Sequence, residues 1–202
     1  NPVNEDMNQA GELVDVAFGI NIVVNTKSKH SKLFCGDFHD AWIKSCKYVD
    51  DCYGVPIEKE ADIVIASCGG YPKDINLYQS TKSIFNAARA VKKGGTVIFL
   101  AECREGGGAP DFFSWIEPLK RGVLDEELRA NFTIGGYIFY ALCEAIAKSK
   151  MLMLSEIDPN FVKDLNINSY KNIDELLEKV DFEGKDVCVL PYGGSVVPLL
   201  QD

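Results

Sequence analysis

The sequence lacks any apolar run long enough to cross a membrane. Its richest apolar segment, residues 134–147, is interrupted by Gly135, Gly136 and Glu144, whereas a membrane span needs roughly 18 apolar residues or more. The first six residues are polar and acidic, without the basic and apolar regions of a signal peptide. We therefore expect a cytoplasmic protein with no membrane partner.

Positive charge and histidine are both scarce. Lys and Arg number 21 against 30 Asp and Glu, which gives a net charge of −9, whereas domains that bind nucleic acid are usually basic. Only His30 and His39 are present, and neither lies at metal-ligand spacing from a cysteine. These shortages predict that the chain by itself binds neither nucleic acid nor a metal ion.

Paired cysteines are also missing. The seven cysteines form no C-x-x-C motif, and most lie within apolar strand or helix patterns, which is typical of reduced, buried thiols. Cys68 and Cys103 lie at predicted strand ends without a basic residue that would activate them. The sequence therefore gives no support for nucleophilic catalysis.

Residues 1–56 have the pattern of a β-hairpin followed by a helix. Apolar, β-branched residues run from Phe18 to Asn25, a second short strand runs from Lys32 to Cys35, and residues 38–53 show helical spacing before Gly54 and Pro56. A hairpin and one helix are too little to fold alone. We expect this segment to belong to another, upstream domain.

Residues 57–202 alternate apolar runs with helical stretches. This alternation predicts an α/β domain with a Rossmann-like, open and mostly parallel sheet and helices on both faces. The predicted strands are 61–68, 96–101, 151–155 and 187–190, and the predicted helices are 76–92, several within 110–148, and short ones near 160–165 and 172–180.

Glycine-rich loops follow the first two of these strands. Gly69 and Gly70, with Tyr71, follow one strand, and residues 106–108 are all glycine after the next. Ligands of open α/β sheets bind beyond the carboxyl ends of the strands. Residues of both loops, Gly69, Gly70 and Tyr71 among them, are therefore candidates to line a pocket. Neither loop matches a dinucleotide or P-loop motif, and tight turns with positive φ explain the glycines equally well.

The helix that begins near Asn76 carries a more specific pair. Leu77 and Ile84 lie on its apolar side, and Gln79 and Lys82 fall together on the opposite side near the positive end of the helix. An amide beside an ammonium group can bind a carboxylate. The alternative is ordinary helix surface, with Asn76 and Gln79 forming a capping box.

One string in this region is longer and more specific. Residues 69–82, GGYPKDINLYQSTK, closely resemble the GGYPxDxNxYQxxK signature of the nickel-dependent lactate racemase family. Further blocks agree in the same order, from the Asn-Pro-Val at residues 1–3 to the Pro-Tyr-Gly-Gly at residues 191–194. The resemblance covers nearly the whole chain.

The resemblance implies a role in racemising or epimerising lactate or another small 2-hydroxy acid. In that family a nickel-pincer nucleotide takes up and returns a hydride, and the residues that hold it lie upstream of the segment seen here. The resemblance thus implies that Gln79 and Lys82 orient the substrate, that Tyr78 is a neighbouring pocket residue, and that this chain alone holds no cofactor. Position 1 is not Met, so we expect a portion of a longer protein. Since the resemblance places the cofactor-holding residues upstream, we expect this portion to be inactive in isolation.

Two departures put the substrate in question, and two other functions remain open. Trp42 stands where the family pattern favours histidine. Tyr137 stands where histidine or tryptophan is commoner in the family. Tyr137, near the start of an apolar helix, is either a core residue or a pocket residue. The alternative functions are a stand-alone nucleotide- or small-anion-binding α/β module and a structural domain that contacts another protein.

Overall fold

The computed structural model describes residues 2–25 and 29–201. Its contacts divide the chain into two compact units, one ending at Gly54 and one starting at Val55. Among the described residues, no helix is long and apolar enough to cross a membrane.

The first unit contains the predicted hairpin and helix. Strands β1 (Gly19–Val24) and β2 (His30–Gly36) pair antiparallel, and helix α2 spans Phe38–Tyr53. Asp37 begins α2 because its carboxylate accepts the backbone N–H groups of the second and third residues that follow it. A further helix, α1 (Pro2–Glu12), was not predicted.

The second unit holds the parallel sheet and most of the helices, and its first strand begins with Gly54, the last residue of the first unit. In chain order its elements are β3 (Gly54–Ile57), β4 (Ala61–Ser67), α3 (Leu77–Ala90), β5 (Val91–Leu100), α4 (Pro110–Phe113), α5 (Ile116–Lys120), α6 (Leu124–Ala130), α7 (Ile134–Ala147), β6 (Lys150–Leu154), α8 (Pro159–Val162), β7 (Ile167–Tyr170), α9 (Ile173–Leu177), β8 (Val187–Leu190) and β9 (Val197–Leu200). Short 3-10 turns span Lys163–Leu165 and Gly193–Ser195.

Five of these strands form one parallel sheet in the order β7-β6-β5-β4-β8. Strands β3 and β9 form a separate two-stranded sheet. The parallel sheet with intervening helices confirms the predicted fold class, and the hairpin and helix precede it as predicted.

Both faces of the sheet are covered, but unequally. Alternate residues of the strands, such as Val64 and Phe99, pack under α3 and α7 in the larger core, which includes Ile84 and Phe139. The intervening residues pack in a smaller cluster of Ile63, Ile98, Leu152 and Leu176, the last from α9. Because side chains alternate across a strand, one apolar run supplies both cores, and the long helix α3 lies on the thicker side.

The boundary between α3 and β5 differs from the prediction. The helix ends at Ala90 and the strand begins at once at Val91, which pairs with Ala61. The register then shifts, so that Ile63 pairs with Thr96, and Gly94 in the extra segment has a φ of +80°. The apolar pattern predicts the second part of this strand and not its short polar beginning.

Candidate functional site

The strand order of the parallel sheet reverses between β4 and β8. Strands β5, β6 and β7 lie in succession on one side of β4, and β8 lies on the other. In open α/β sheets the carboxyl ends at such a reversal leave a crevice where ligands bind. Here the loop after β4 contacts the turn after β8. The Lys73 ammonium donates to the Ser195 hydroxyl over 2.9 Å.

The two glycines after β4 are required by the backbone. Gly69 and Gly70 have φ values of +85° and +81°, which a residue with a Cβ adopts only with strain. A Cβ at Gly69 would also lie 3.0 Å from the ring of Tyr192. The Gly69 N–H donates to the Ser67 hydroxyl over 3.0 Å, so the loop turns sharply toward α3.

Groups of the protein itself accept the hydrogen bonds of the backbone N–H groups at the start of α3. The backbone N–H groups of Leu77 and Tyr78 donate to the carbonyls of residues 106–107 over 2.9 and 3.1 Å. The side-chain oxygen of Asn76 accepts the Gln79 N–H over 2.9 Å. These amides are therefore unavailable to a ligand, contrary to the expectation that the end of the helix would help to bind an anion.

Only half of the possible capping box forms. Asn76 caps the helix as described, but no side-chain hydrogen bond of Gln79 to another described residue returns to the cap. The amide of Gln79 therefore keeps its full capacity to donate and accept.

Gln79 and Lys82 line one small cleft together. Its other lining residues are Ser83, Lys73 and Gly194, and its volume is about 130 Å³. The cleft residues Lys73, Gln79 and Lys82 are exposed, whereas Ser83 is buried. The cleft lining contains two ammonium groups and an amide but no carboxylate, so it is suited to an anion.

The turn after β8 is held against α3 at this cleft. The Asn86 amide donates to the Gly193 carbonyl over 2.7 Å. A Cβ at Gly194 would lie 3.0 Å from the Ser83 hydroxyl oxygen, so the turn approaches the helix closely. The wall opposite Gln79 thus comes from a segment more than 100 residues later in the chain.

Tyr78 lies on a different side of α3 from the cleft. Its ring is half-buried and contacts Phe112 edge to face, with ring centroids 5.4 Å apart. It is not among the residues that line the cleft. The structure thus brings together Gln79 and Lys82, the two residues implied to orient the substrate. Tyr78, implied to be a neighbouring pocket residue, instead supports the helix from the core side.

The remaining predicted pocket residues lie in separate places. Gly70 lines a crevice of about 460 Å³ over the ends of β4 to β6. Tyr71 is exposed, with the Arg104 guanidinium 5.8 Å from its ring centroid. Tyr137 lines a largely apolar cleft beside Phe132. These pocket candidates therefore line separate clefts or lie on the surface, apart from the cleft of Gln79 and Lys82.

The described residues contain no cluster of metal ligands and no activated thiol at Cys68 or Cys103. Among the described residues, no cluster of three or more His, Cys, Asp or Glu side chains could hold a metal ion. Burial raises the pKa of the Cys103 thiol to about 11 and also raises the pKa of Cys68, so both thiols are protonated at neutral pH.

Sequence reasoning missed three members of the cleft: Lys73, Ser83 and Gly194. Lys73 lies in a loop, where helical spacing gives no signal. Ser83 falls next to Lys82 on the helix, and Gly194 belongs to the Pro-Tyr-Gly-Gly block at residues 191–194. Only the reversal of strand order brings that block to α3.

The chain is similar to known proteins over nearly its whole length. Residues 57–198 match the family described as lactate racemase C-terminal domain. Two curated relatives named lactate racemase, from Thermoanaerobacterium thermosaccharolyticum and Lactiplantibacillus plantarum, are 32% and 28% identical over 206 residues. Each match covers 98% of this chain and 48% of the relative, so the chain spans about half the length of these relatives.

Solved structures agree with these matches. The lactate racemase apoprotein from Thermoanaerobacterium thermosaccharolyticum has a TM-score of 0.88 at 31% identity, covering 98% of this chain and 50% of that one. A protein from Thermotoga maritima has a TM-score of 0.67 at 14% identity, covering 100% of this chain and 54% of that one. The second likeness shows the fold alone.

Proposed function

The chain belongs to the lactate racemase C-terminal domain family, and from this premise we propose that it supplies the substrate clamp of a 2-hydroxy acid racemase. In this role Lys82 provides the positive charge, and the Gln79 amide donates to the carboxylate of lactate or a related acid. The observation that carries the proposal is the cleft that these two side chains share, without a carboxylate in its lining.

The reaction explains why such a clamp is needed. Racemisation at the carbon next to the carboxylate passes through a planar state that must be attacked on either face. A catalyst gains by fixing the carboxylate while leaving both faces accessible, since positioning removes much of the entropic barrier. One charge and one amide suffice, because the charge supplies binding energy and the amide sets the direction of the carboxylate plane.

Rigid support of the two groups also favours this role. Gln79 and Lys82 are three residues apart in a 14-residue helix whose apolar side is buried against the sheet. The helix is capped at Asn76 and tied to the turn after β8 through Asn86. Groups placed on a rigid element hold a ligand in one orientation better than groups on a free loop.

We further propose that the full protein works with a nickel-pincer nucleotide bound outside the residues described here. That cofactor would supply the hydride acceptor, while Gln79 and Lys82 bind and orient the acid. Residues 1–56 are proposed to belong to the cofactor-bearing domain, with residues 57–202 as the domain that carries the clamp. On this proposal, the chain alone does not interconvert the lactate enantiomers.

The geometry gives less support to a nucleotide-binding module. A phosphate site at the start of a helix needs free backbone N–H groups, and those of Leu77 and Tyr78 donate to the carbonyls of residues 106–107. Gly107 is required for packing, since a Cβ there would lie 2.1 Å from the ring of Phe113. The carbonyls of the second glycine loop therefore close the helix end.

Substitutions in the full-length protein test the proposal. Lys82→Ala and Gln79→Ala should each lower kcat/KM for lactate interconversion by about a hundredfold, the scale of one well-placed charge-assisted contact. Lys93→Ala is the matched control, because Lys93 is an exposed lysine of β5 and does not line the cleft. Circular dichroism should show an unchanged fold, and wild-type rates in both cleft variants would contradict the clamp.

A further inference from the structure

The cleft contains a second lysine that the clamp does not use. Lys73 lines it together with Gln79 and Lys82, and its ammonium group donates to the Ser195 hydroxyl over 2.9 Å. Lys73 has no carboxylate partner among the described residues of the cleft. One carboxylate group of a substrate is sufficient for Lys82 and Gln79, which leaves Lys73 without an assigned role.

The two lysines come from different segments that line the cleft. Lys82 and Gln79 belong to α3, whereas Lys73 belongs to the loop after β4 and is bonded to the turn after β8. The loop is fixed at this point, because the Lys73 N–H donates to the Gly70 carbonyl over 3.0 Å. Lys73 is therefore positioned to meet a different part of the ligand from the part that α3 binds.

Charge indicates what that part is. Two ammonium groups share a small cleft of about 130 Å³. Like charges that line one cleft repel, and the cleft lining supplies no anion to offset them. A ligand with one negative group satisfies one lysine, and a ligand with two satisfies both.

We propose that Lys73 is a specificity-determining residue that binds a second acidic group of the substrate. The preferred substrate class is then a 2-hydroxy acid with a second carboxylate, and lactate is the poorer ligand. This inference rests on the proposed clamp and adds the substrate class to it. The alternative role for Lys73 is purely structural, as a tether between the loop after β4 and Ser195.

Binding to the chain separates these two roles. Backbone amide NMR shifts of Gln79 and Gly194 are followed while lactate or malate is titrated at constant ionic strength, and each dissociation constant is fitted. Malate carries the second carboxylate and lactate lacks it. An exposed ion pair contributes up to about 1 kcal/mol, so wild-type chain should bind malate about fivefold more tightly than lactate.

Three variants make the measurement specific. Lys73→Gln should reduce the ratio of the two dissociation constants to about one, and Lys73→Arg, which keeps the charge, should restore the preference for malate. Lys93→Gln is the matched control and should retain the wild-type ratio. Amide spectra away from the cleft report whether each variant has kept its fold.

Other outcomes would overturn the inference. Equal affinity of wild-type chain for both acids, or an equal loss of both in Lys73→Gln, would leave Lys73 as a tether or as part of a common clamp. Lys82→Gln tests the proposed clamp itself. If that variant binds lactate as tightly as the wild type does, the clamp is wrong, and the inference about Lys73 is wrong with it. If Lys82→Gln loses lactate while Lys73→Gln keeps its preference for malate, only the inference about Lys73 fails.

Discussion

The two units of the chain differ in how much apolar surface they bury. Up to Gly54, the described residues contain three buried side chains, those of Val23, Ala41 and Ser45. From Val55 onward, a continuous core runs under α3 and α7, and a smaller one lies on the other face of the sheet. Burial of apolar surface is the main favourable term in folding, so the second unit has far more to stabilise it.

The exposed residues of the first unit sharpen the contrast. Ile20, Ile22 and Val24 alternate along β1 and are about half or more exposed, and Leu33 of β2 is 58% exposed. In a two-stranded hairpin such residues form an apolar face without a covering layer. This supports the proposal that residues 1–56 belong to a domain whose remaining parts lie elsewhere in the protein.

Separating the two units should give the largest difference in folding between them. A chain starting at Val55 should retain its helical circular dichroism signal and unfold cooperatively, because its cores lie within that unit. A peptide of residues 2–54 should show little secondary structure in water, since a hairpin with two helices buries too little surface. A cooperative thermal transition in the peptide would remove the contrast.

Truncations of one buried side chain in each unit should differ by several kcal/mol. Phe99 is fully buried in β5, so Phe99→Ala should lower the free energy of unfolding by about 4 kcal/mol. Val23 is also buried, but in the thin hairpin, and Val23→Ala should cost about 1 kcal/mol. Urea denaturation of both variants checks this. Similar losses would mean that the hairpin is as well packed as the sheet.

Cysteine labelling gives the finest comparison of the units. Cys35, Cys46 and Cys52 of the first unit are exposed, whereas Cys68 and Cys103 of the second are buried. Because burial raises the pKa of Cys103 to about 11, its thiol stays protonated at pH 8, where alkylation requires thiolate.

The three exposed cysteines should therefore react with iodoacetamide about a hundredfold faster than Cys68 and Cys103. Mass spectrometry of peptides from a time course measures each rate. Labelling in urea serves as the control, since the difference should vanish on unfolding. Rapid labelling of Cys103 in the folded chain would show that its strand end opens readily.

Most of the fold follows from the sequence because its patterns are strong and local. The apolar runs of β4, β6 and β8, the spacing of α2 and the signature at residues 69–82 predicted the architecture and the family, and both are confirmed. Strand β7, with the sequence INSY, was not predicted, since a short edge strand needs few apolar residues. Strands β3 and β9 were missed because their pairing joins segments about 140 residues apart.

The candidate site was predictable only where it lies on one helix. Three-residue spacing places Gln79 beside Lys82, and the structure agrees. Spacing along the chain cannot show that Gly194 approaches Ser83, because that contact depends on the order of strands in the sheet. Spacing also cannot show that the backbone N–H groups of Leu77 and Tyr78 donate to the carbonyls of residues 106–107.

The bond between Lys73 and Ser195 has a consequence for biosynthesis. These residues are 122 positions apart, so a ribosome adding roughly 5–20 residues per second delivers the second wall of the cleft roughly ten seconds after the first. During that interval α3 can pack on β4 and β5, but edge strand β8 and its turn do not yet exist. A nascent chain therefore carries Lys73, Gln79 and Lys82 before it has a cleft. On the proposed function, substrate can bind only as translation of this domain finishes.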